Sequence, residues 1–302
     1  MYQYITGVIS LGLIYVIATT GLAVFTGFTG LFSLGHAAFF AIGAYTAAIL
    51  TYFYNWNYYL ALAAGAAAGG LVGFLIGYPT LKAKLRTDYF AIATLGFGEA
   101  IRVLLENLPI TQGARGLPGI RGETTLPVLV VAAAVVIWLA RNLIHSRHGR
   151  ASIAIREDFV AAEMMGVNVF MGRLRSLTFS AACTGLAGGL FAHYFCFIQP
   201  SMFTSYMSTQ MTAAVVAGGM GSISGPVIAT LIFIGIPEAL RVANIWRLVA
   251  YGLLLVLIMI FRPQGLMGYR ELSLGMIRGW FRHLLPGRAG GRPSAGLKGG
   301  KP

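Results

Sequence analysis

The sequence predicts an all-α fold, a polytopic bundle of transmembrane helices, and three observations lead to it. First, 57% of the 302 residues are hydrophobic and only 10% are charged, which is far from the balance of a soluble domain. Second, apolar runs recur along the chain with the length of about 20 residues that crosses a bilayer as a helix. Third, these runs lack the alternation of apolar and polar residues that marks a membrane β-barrel. Because lipid offers no partner for free backbone groups, the spans are expected to be helical.

Apolar segments follow one another along the chain, which has room for about eight to ten membrane segments. The first begins close to the N-terminus, and since no basic residue precedes it, we interpret it as a span rather than a signal peptide. The seventh and eighth segments are short. The predicted segments are 4–25, 33–53, 58–78, 88–108, 126–144, 174–198, 209–218, 226–240 and 246–261.

Two stretches rich in small residues interrupt the apolar sequence. The stretch "GGMGSISGP" at 218–226 lies between the two short segments and contains four glycines and a proline. Such a break is typical of half-helices or of a re-entrant hairpin that lines a cavity. The stretch "TGLFSLGHAAF" at 29–39 has a similar composition, which suggests a weak internal repeat. The residues predicted to form the half-helix break are Gly218, Gly219, Gly221, Ser222, Gly225 and Pro226.

Small residues also recur at helical spacing within two of the predicted segments. Such stripes let membrane helices approach one another closely, and packing within the bundle is favoured here over a subunit interface. The stripes are Gly65, Gly69, Gly73 and Gly77 in the third segment, and Ala181, Gly185 and Gly189 in the sixth.

Positive charge collects at the ends of the predicted spans. The chain carries 22 Lys and Arg against 9 Asp and Glu, a net charge of +13. Because basic loops mark the cytoplasmic side of a membrane, we expect a transmembrane domain at 1–268 with a cytoplasmic loop at 145–173. A basic, disordered tail at 269–302 should follow, so that the C-terminus is cytoplasmic. Nucleic-acid binding is disfavoured, since the basic residues follow span ends rather than one face.

The stretch "AIREDFVAAEMMGVN" at 154–168 concentrates charge in an apolar chain, because it holds three of the nine acidic residues. It predicts a helix of about two turns, with Asp158 or Glu157 at its N-terminus and Gly166 in a left-handed conformation after its C-terminus. One interpretation is an interfacial helix on lipid headgroups, but acidic side chains are unfavourable against an anionic leaflet. A helix that inserts into a groove on a soluble partner protein fits better.

Ionisable residues inside the predicted spans are candidates for a translocation path. Glu99, Arg102 and Glu106 recur on one face of the fourth segment, with Glu99 near the middle of the membrane. The alternative for these residues is a structural ion pair buried in the bundle. For His36, the alternative to a path is a simple buried hydrogen bond. The candidate path residues are Ser33, His36, Glu99 and Arg102.

Motifs of enzymes and metal sites are missing from the sequence. No set of His, Cys and Glu has the spacing of metal ligands, and no order of Ser, His and Asp suggests a catalytic triad. No G-x-x-x-x-G-K-[ST] loop is present to bind ATP. Cys183 and Cys196 fall in one predicted helix, separated by a rise of about 20 Å, which is too far for a disulfide. We therefore expect neither enzymatic activity nor a cofactor in this chain.

Five blocks follow one another between residues 30 and 268: "GLFSLGHAAFFAIGAYTAAIL", "TDYFAIATLGFGEAIR", "AIREDFVAAEMMGVNV", "GGMGSISGPVIA" and "FRPQGLMG". Together, and in this order, they resemble the LivM-type permease subunits of the branched-chain amino acid ABC importers. Any one block would be a weak signal, and their joint occurrence makes the resemblance specific. The chain departs from the family pattern in its basic, glycine-rich tail after residue 269.

The resemblance implies a type II-like ABC importer permease in the bacterial inner membrane, with 1–268 as the permease domain. It implies transport of branched-chain or other hydrophobic amino acids, delivered by a periplasmic or extracellular binding protein. Similar permeases serve urea, amides or aromatic acids. The implied partners are a LivH-type homologous permease and two cytoplasmic ATPase subunits, which bind the ATP and Mg. From another class, a self-sufficient secondary transporter would need an intramembrane carboxylate such as Glu99.

In the family that the sequence resembles, the charged stretch is the coupling helix, which docks into the cytoplasmic ATPase. The residues that match this signature are Arg156, Glu157, Asp158, Ala161, Ala162, Glu163 and Gly166.

Overall fold

The computed structural model describes residues 2–83, 87–239, 252–253, 256–258, 260–262 and 265–268. Nearly all of the described chain is helical, as the apolar runs predict. The helices are α1 (Tyr2–Leu22), α2 (His36–Tyr52), α3 (Tyr58–Lys82), α4 (Thr87–Asn107), α5 (Leu126–His145), α6 (Arg147–Glu157), α7 (Phe159–Met164), α8 (Val169–Phe195), α9 (Ser205–Gly218) and α10 (Ser224–Ala239).

The first membrane segment is longer than its predicted range. Helix α1 continues without interruption into a π-helical turn at Ala23–Gly27, so that Gln3–Gly27 forms one apolar helix of 25 residues. The chain then leaves helical geometry until α2 begins at His36, three residues after the predicted start of the second segment. The stretch 30–35 is therefore a non-helical interruption between two helices, as the composition of "TGLFSLGHAAF" suggests.

Helices α3 and α8 pack most closely in the bundle, and their small residues make this contact. A Cβ atom added to Gly69 would lie 2.7 Å from the carbonyl oxygen of Ala181, and one added to Gly65 would lie 2.8 Å from the carbonyl oxygen of Gly43 in α2. Gly43 in turn lies directly against the backbone of Gly185. The prediction that the glycine stripes serve packing within the bundle is confirmed.

A short β-ribbon closes one end of the bundle. After α4, the strand β1 (Leu117–Pro118) pairs antiparallel with β2 (Phe197–Ile198), which follows α8. The backbone amide of Ile120 also donates to the carbonyl of Cys196. Since α8 runs from α7 to this ribbon, the bundle has two distinct ends, which we call the α7 end and the ribbon end.

The starts of two helices differ from the sequence predictions because side chains cap them locally. Helix α8 begins at Val169 rather than at 174, since the Asn168 side chain accepts a hydrogen bond from the Met171 amide. It ends at Phe195, so Cys196 lies just past the helix with a φ of 57° rather than within it. Helix α6 was not predicted, and it begins where Ser146 accepts from the Gly149 amide. Both cysteines are free.

Among the described residues, three helices are long and apolar enough to cross a membrane: Gln3–Gly27, Tyr58–Lys82 and Leu126–His145. Shorter apolar helices lie at His36–Tyr52 and Ser224–Gly235. Helix α9 has 14 residues, which corresponds to a rise of about 20 Å, less than the hydrocarbon core of a bilayer. The predicted ninth segment at 246–261 falls largely outside the described residues, and the tail at 269–302 falls wholly outside them.

Candidate functional site

The helix predicted in the charged loop is α7, which has six residues and lies at the end of the bundle opposite the β-ribbon. Asp158 caps its N-terminus, since Oδ1 accepts from the amides of Val160 at 2.8 Å and Ala161 at 3.0 Å. These bonds satisfy amides that have no partner inside the helix. Asp158 therefore serves the N-terminus of the helix, while Glu157 belongs to the end of α6.

Gly166 ends α7 in the left-handed conformation, with a φ of +81°. Its amide donates to the carbonyl of Glu163, and the Val167 amide donates to the carbonyl of Ala162, each at 3.0 Å. This pair of bonds is the Schellman arrangement, which a glycine adopts with least strain. Of the described atoms beyond its chain neighbours, none lies within 4 Å of a Cβ added to Gly166. The glycine is needed for its backbone angle rather than for space.

The outer face of α7 is apolar and exposed. Phe159 and Val160 are 53% and 55% exposed, while Met164 and Met165 reach 84% and 85%. On the opposite face, Ala162 is buried against the bundle. Exposed apolar side chains that cluster on one rigid helix are typical of a protein-binding surface.

A groove lies beside α7, between this helix and the facing ends of α3, α4 and α8. Arg173 on α8 lies over the ring of Phe159, with its guanidinium carbon 5.7 Å from the ring centroid. This contact joins the first residue of α7 to the bundle. The groove is lined by Leu31, Leu81, Lys82, Thr87, Asp88, Phe159, Glu163, Gly166, Val167, Asn168, Val169, Phe170 and Arg173.

Arg156 lies in the last turn of α6 and points into the bundle rather than outward. Its side chain is 16% exposed, whereas that of Glu157 is 66% exposed. Its Nη1 donates to the carbonyl of Gly27 at 2.9 Å and approaches the carbonyl of Met220 at 3.4 Å. Arg156 also donates from Nε at 3.2 Å and from Nη2 at 2.6 Å to Oε1 of Glu157, so the two residues form an ion pair in which Arg156 is mostly buried and Glu157 is mostly exposed.

The glycine-rich stretch 218–226 forms the corner between α9 and α10. Helix α9 ends at Gly218, Gly219 has a φ of +114°, and α10 begins at Ser224. The Ser222 side chain caps α10 by accepting from the amide of Gly225 at 3.2 Å. This corner lies at the α7 end, since its Met220 carbonyl approaches Arg156.

Ser33 and His36 lie in a buried polar network at the start of α2, and both side chains have 0% exposure. The two ring nitrogens of His36 lie 3.0 Å from Ser33 Oγ and 2.7 Å from Ser180 Oγ. Ser208 accepts from the Ala37 amide at 2.8 Å. Thr212 on α9 donates to the Ser33 carbonyl at 3.1 Å. The break at 30–35 is thus held by side chains of α8 and α9 that sequence analysis missed, because nothing local marks them.

Glu99, Arg102 and Glu106 form a ladder along α4. Arg102 donates from Nε to Glu99 at 2.9 Å and from Nη1 to Glu106 at 2.7 Å. The three side chains remain 37%, 27% and 29% exposed. Glu99 also accepts from the amide of Ser205, the first residue of α9, at 3.4 Å. The predicted ion pair is present, although its side chains are partly exposed rather than buried, and a role of the stripe in a translocation path stays a prediction.

The ladder and the buried network are neighbours. A Cβ added to Gly98 on α4 would lie 3.6 Å from the Cα atom of Gly35, and the Leu34 amide donates to Thr94 of α4 at 3.1 Å. The structure therefore brings Ser33, His36 and Glu99 into one region, while α7 lies elsewhere at the end of the bundle. Within the described part of the chain, no group of three or more His, Cys, Asp or Glu could hold a metal ion.

The fold and these sites define a class of protein: a multi-pass, all-α membrane permease with a short exposed helix at one end. The chain belongs to the family of permease components of branched-chain amino acid transport systems, whose family model matches residues 4–261. It is a permease subunit of the LivM type from an ABC importer, and both the fold class and the family predicted from the sequence are confirmed.

The chain is similar to several characterised permeases. It is 35% identical to the high-affinity branched-chain amino acid transport system permease protein LivM of Escherichia coli K12, over 89% of this chain and 71% of that protein. The LivM protein of Salmonella typhimurium is 36% identical, over 84% of this chain and 68% of that protein. The LivH protein of E. coli K12 is 28% identical, over 90% of this chain and 97% of that protein. No solved structure matches the chain.

Proposed function

We propose that this permease carries branched-chain or other hydrophobic amino acids across the bacterial inner membrane. It would pair with a homologous LivH-type permease, receive substrate from a soluble binding protein outside, and be driven by two cytoplasmic ATPases that bind ATP and Mg. The observation that carries the proposal is α7, a short helix fixed at both ends that presents an apolar face to solvent. The relatives of this chain are named as branched-chain amino acid permeases, and these names support the proposed substrate class.

Helix α7 is the surface that we assign to the ATPase. Asp158 and Gly166 fix the two ends of the helix, so its exposed apolar side chains keep a constant arrangement on its surface. Methionine adapts its shape to an apolar groove, which suits a contact that must persist while the partner moves. Glu163 adds negative charge to this surface, whereas Glu157 of α6 pairs with Arg156. The ATPase surface would then be apolar at its centre and basic at its rim.

The transport path, in this proposal, runs along the ladder of α4. Charged side chains with a quarter to a third of their surface exposed are costly against lipid, so this face of α4 would border water or another subunit. A path between two permeases meets that requirement. Ser33 and His36 are buried in this conformation. They would not line the path but would pack behind the face of α4 that lines it.

Orientation follows from charge and from the position of α7. Basic residues at 145–173 flank the end that carries α7, and basic loops favour the cytoplasm. An ATPase contact at α7 requires the same side. The C-terminus, in this arrangement, is also cytoplasmic.

A second candidate function is a secondary transporter driven by protons or ions, and the exposed carboxylate of Glu99 is the observation that favours it. A permease for urea, amides or aromatic acids within the same family is a closer alternative. The secondary transporter differs from the proposal in its energy source, and the other permease differs in its substrate. One experiment can distinguish all three.

The test is uptake into proteoliposomes that hold the chain with its partner permease, its ATPases and the binding protein. The proposal expects leucine uptake that needs internal ATP and stops when the ATPases are omitted. Urea, acetamide and benzoate serve as matched substrates that identify the alternatives within the family. Uptake by this chain without ATPases, driven by an ion gradient, would contradict the proposal and establish the secondary transporter.

A further inference from the structure

Three segments that are far apart in sequence meet around Arg156. The guanidinium of Arg156 donates to the carbonyl of Gly27, the last residue of the first membrane helix. The same nitrogen approaches the carbonyl of Met220, in the corner between α9 and α10. Carbonyls at the C-terminal ends of helices lack intrahelical partners and carry partial negative charge, so an arginine satisfies them well.

These segments touch one another directly, without intervening side chains. A Cβ added to Gly27 would lie 2.6 Å from the Met220 carbonyl oxygen, and one added to Gly30 would lie 3.2 Å from Cγ of Arg156. The backbone of the first helix, the corner and the stem of the arginine thus form one packed junction. A displacement of any of the three must be accommodated by the other two.

The block "FRPQGLMG" completes this junction. The amide of Leu266 donates to the carbonyl of Ala217 at 2.8 Å, and the amide of Met267 donates to that of Gly218 at 3.1 Å. These bonds satisfy the last carbonyls of α9, where the helix stops. The end of α9 is therefore tied to the chain after the membrane segments as well as to Arg156.

Arg156 stands two residues before the corner between α6 and α7. Asp158 follows the end of α6 and caps α7, so the two helices share a corner two residues beyond Arg156. A push on the exposed face of α7 would act on α6 through this corner. Besides the contact of Phe159 with Arg173 on α8, such a movement meets the membrane domain at the carbonyls of Gly27 and Met220, which Arg156 of α6 contacts.

We propose that Arg156 is a positioning residue that transmits the movement of α7 to the first membrane helix and to the α9–α10 corner, and that it is not an ATPase contact. This inference rests on the proposed docking of an ATPase on α7. Lysine carries the charge but lacks the planar fork, in which Nη1 contacts the two carbonyls while Nε and Nη2 bond Glu157, so it should replace arginine only in part.

The first test compares Arg156→Ala and Arg156→Lys with Arg150→Ala, an exposed arginine of the same helix that donates only locally, to the His145 carbonyl. Each variant is measured for co-purification of the ATPases, ATP hydrolysis and substrate uptake. Arg156→Ala should keep the ATPases and their hydrolysis but lose uptake at least tenfold. Arg156→Lys should fall between it and the native chain, and Arg150→Ala should match the native chain.

Glu163→Arg, on the exposed side of α7, is the contrasting variant, because it should lose the ATPases themselves. If Arg156→Ala also loses the ATPases, or keeps native uptake, the inference is wrong. If the native chain fails to retain ATPases, the proposed function fails instead, so the two failures are distinct.

A second measurement excludes a purely structural role for Arg156. Met220, which is 38% exposed, is replaced by cysteine in a chain without Cys183 and Cys196, and maleimide labelling is followed with and without ATP in the assembled complex. The labelling rate should change several-fold on ATP binding with Arg156 present, and this change should vanish with Arg156→Gln. A change that persists in Arg156→Gln would overturn the inference, even if uptake is reduced.

Discussion

The carboxylate of Glu99 on α4 accepts a hydrogen bond from the backbone amide of Ser205, the first residue of α9. Glu99 also accepts from Arg102 on its own helix. One acidic side chain thus links the exposed ladder of α4 to the N-terminal end of a short membrane helix, where negative charge is favourable. This double contact makes Glu99 the most informative residue of the candidate path.

We expect Glu99→Gln to lower uptake several-fold while assembly stays intact. Glutamine keeps an oxygen for the Ser205 amide, but it removes the charge that faces Arg102 and the path. The measurement is uptake together with the thermal stability of the purified complex. Glu123→Gln, at an exposed carboxylate near the ribbon end, is the control. Unchanged uptake with lowered stability would show that the ladder is only structural.

The proposed orientation predicts the labelling of two exposed positions at opposite ends of the bundle. A cysteine at Arg147, at the start of α6, should react only from the cytoplasm, and one at Arg115, beside the β-ribbon, only from outside. Both positions avoid the capping residue Ser146 and the left-handed Gln112. Labelling of position 147 from outside would invert the arrangement and separate α7 from the ATPase. The tail at 269–302, which is also predicted to be cytoplasmic, lies outside the described residues.

Gly166→Val should uncouple transport without unfolding the bundle. Valine has space at this position but is strained at a φ of +81°, by about 1 kcal/mol or somewhat more. That is enough to redirect a six-residue helix and too little to disrupt the membrane domain. Substrate-stimulated ATP hydrolysis and uptake should fall together. Gly166→Asn is the matched control, because asparagine tolerates the left-handed region. Native uptake in the valine variant would contradict a coupling role for α7 and favour the interpretation of α7 as a helix on the lipid surface.

Gly43→Ala should destabilise the bundle, because the added methyl group would overlap the backbone of Gly185 on α8. Overpacking of this kind typically destabilises a protein by about 1–3 kcal/mol. The expected result is a lower melting temperature of the detergent-purified protein, or a lower yield from membranes. Gly96→Ala is the control, since among the described residues no contact atom lies within 4 Å of its added Cβ. Equal melting temperatures for the two variants would contradict this packing.

Features set by neighbours in sequence were predictable from the sequence. The apolar runs indicated membrane helices because burial in lipid depends on the length and composition of each segment. Helix α7 followed from its own caps, since Asp158 and Gly166 bond to backbone groups two or three residues away. The close packing of α3 followed from its glycine spacing, because a stripe on one face permits close approach whichever helix supplies the partner.

Helix boundaries were less predictable, because each depends on a single capping side chain rather than on the apolar pattern of the segment. Ser146 and Asn168 begin α6 and α8 through single side-chain bonds, while the apolar pattern shows only where lipid contact starts. The sequence therefore placed α8 five residues late and left α6 as part of a loop.

Only the tertiary structure decided which way Arg156 points and what holds His36. The resemblance grouped Arg156 with Glu157 in one signature, and the two do form an ion pair, yet Arg156 is 16% exposed and also reaches backbone carbonyls of the bundle, while Glu157 is 66% exposed. The carbonyls that bind Arg156 lie 129 and 64 residues away, and Ser180 lies 144 residues from His36. No local pattern marks such partners, because a backbone carbonyl is available at every residue and its selection depends on how the helices pack.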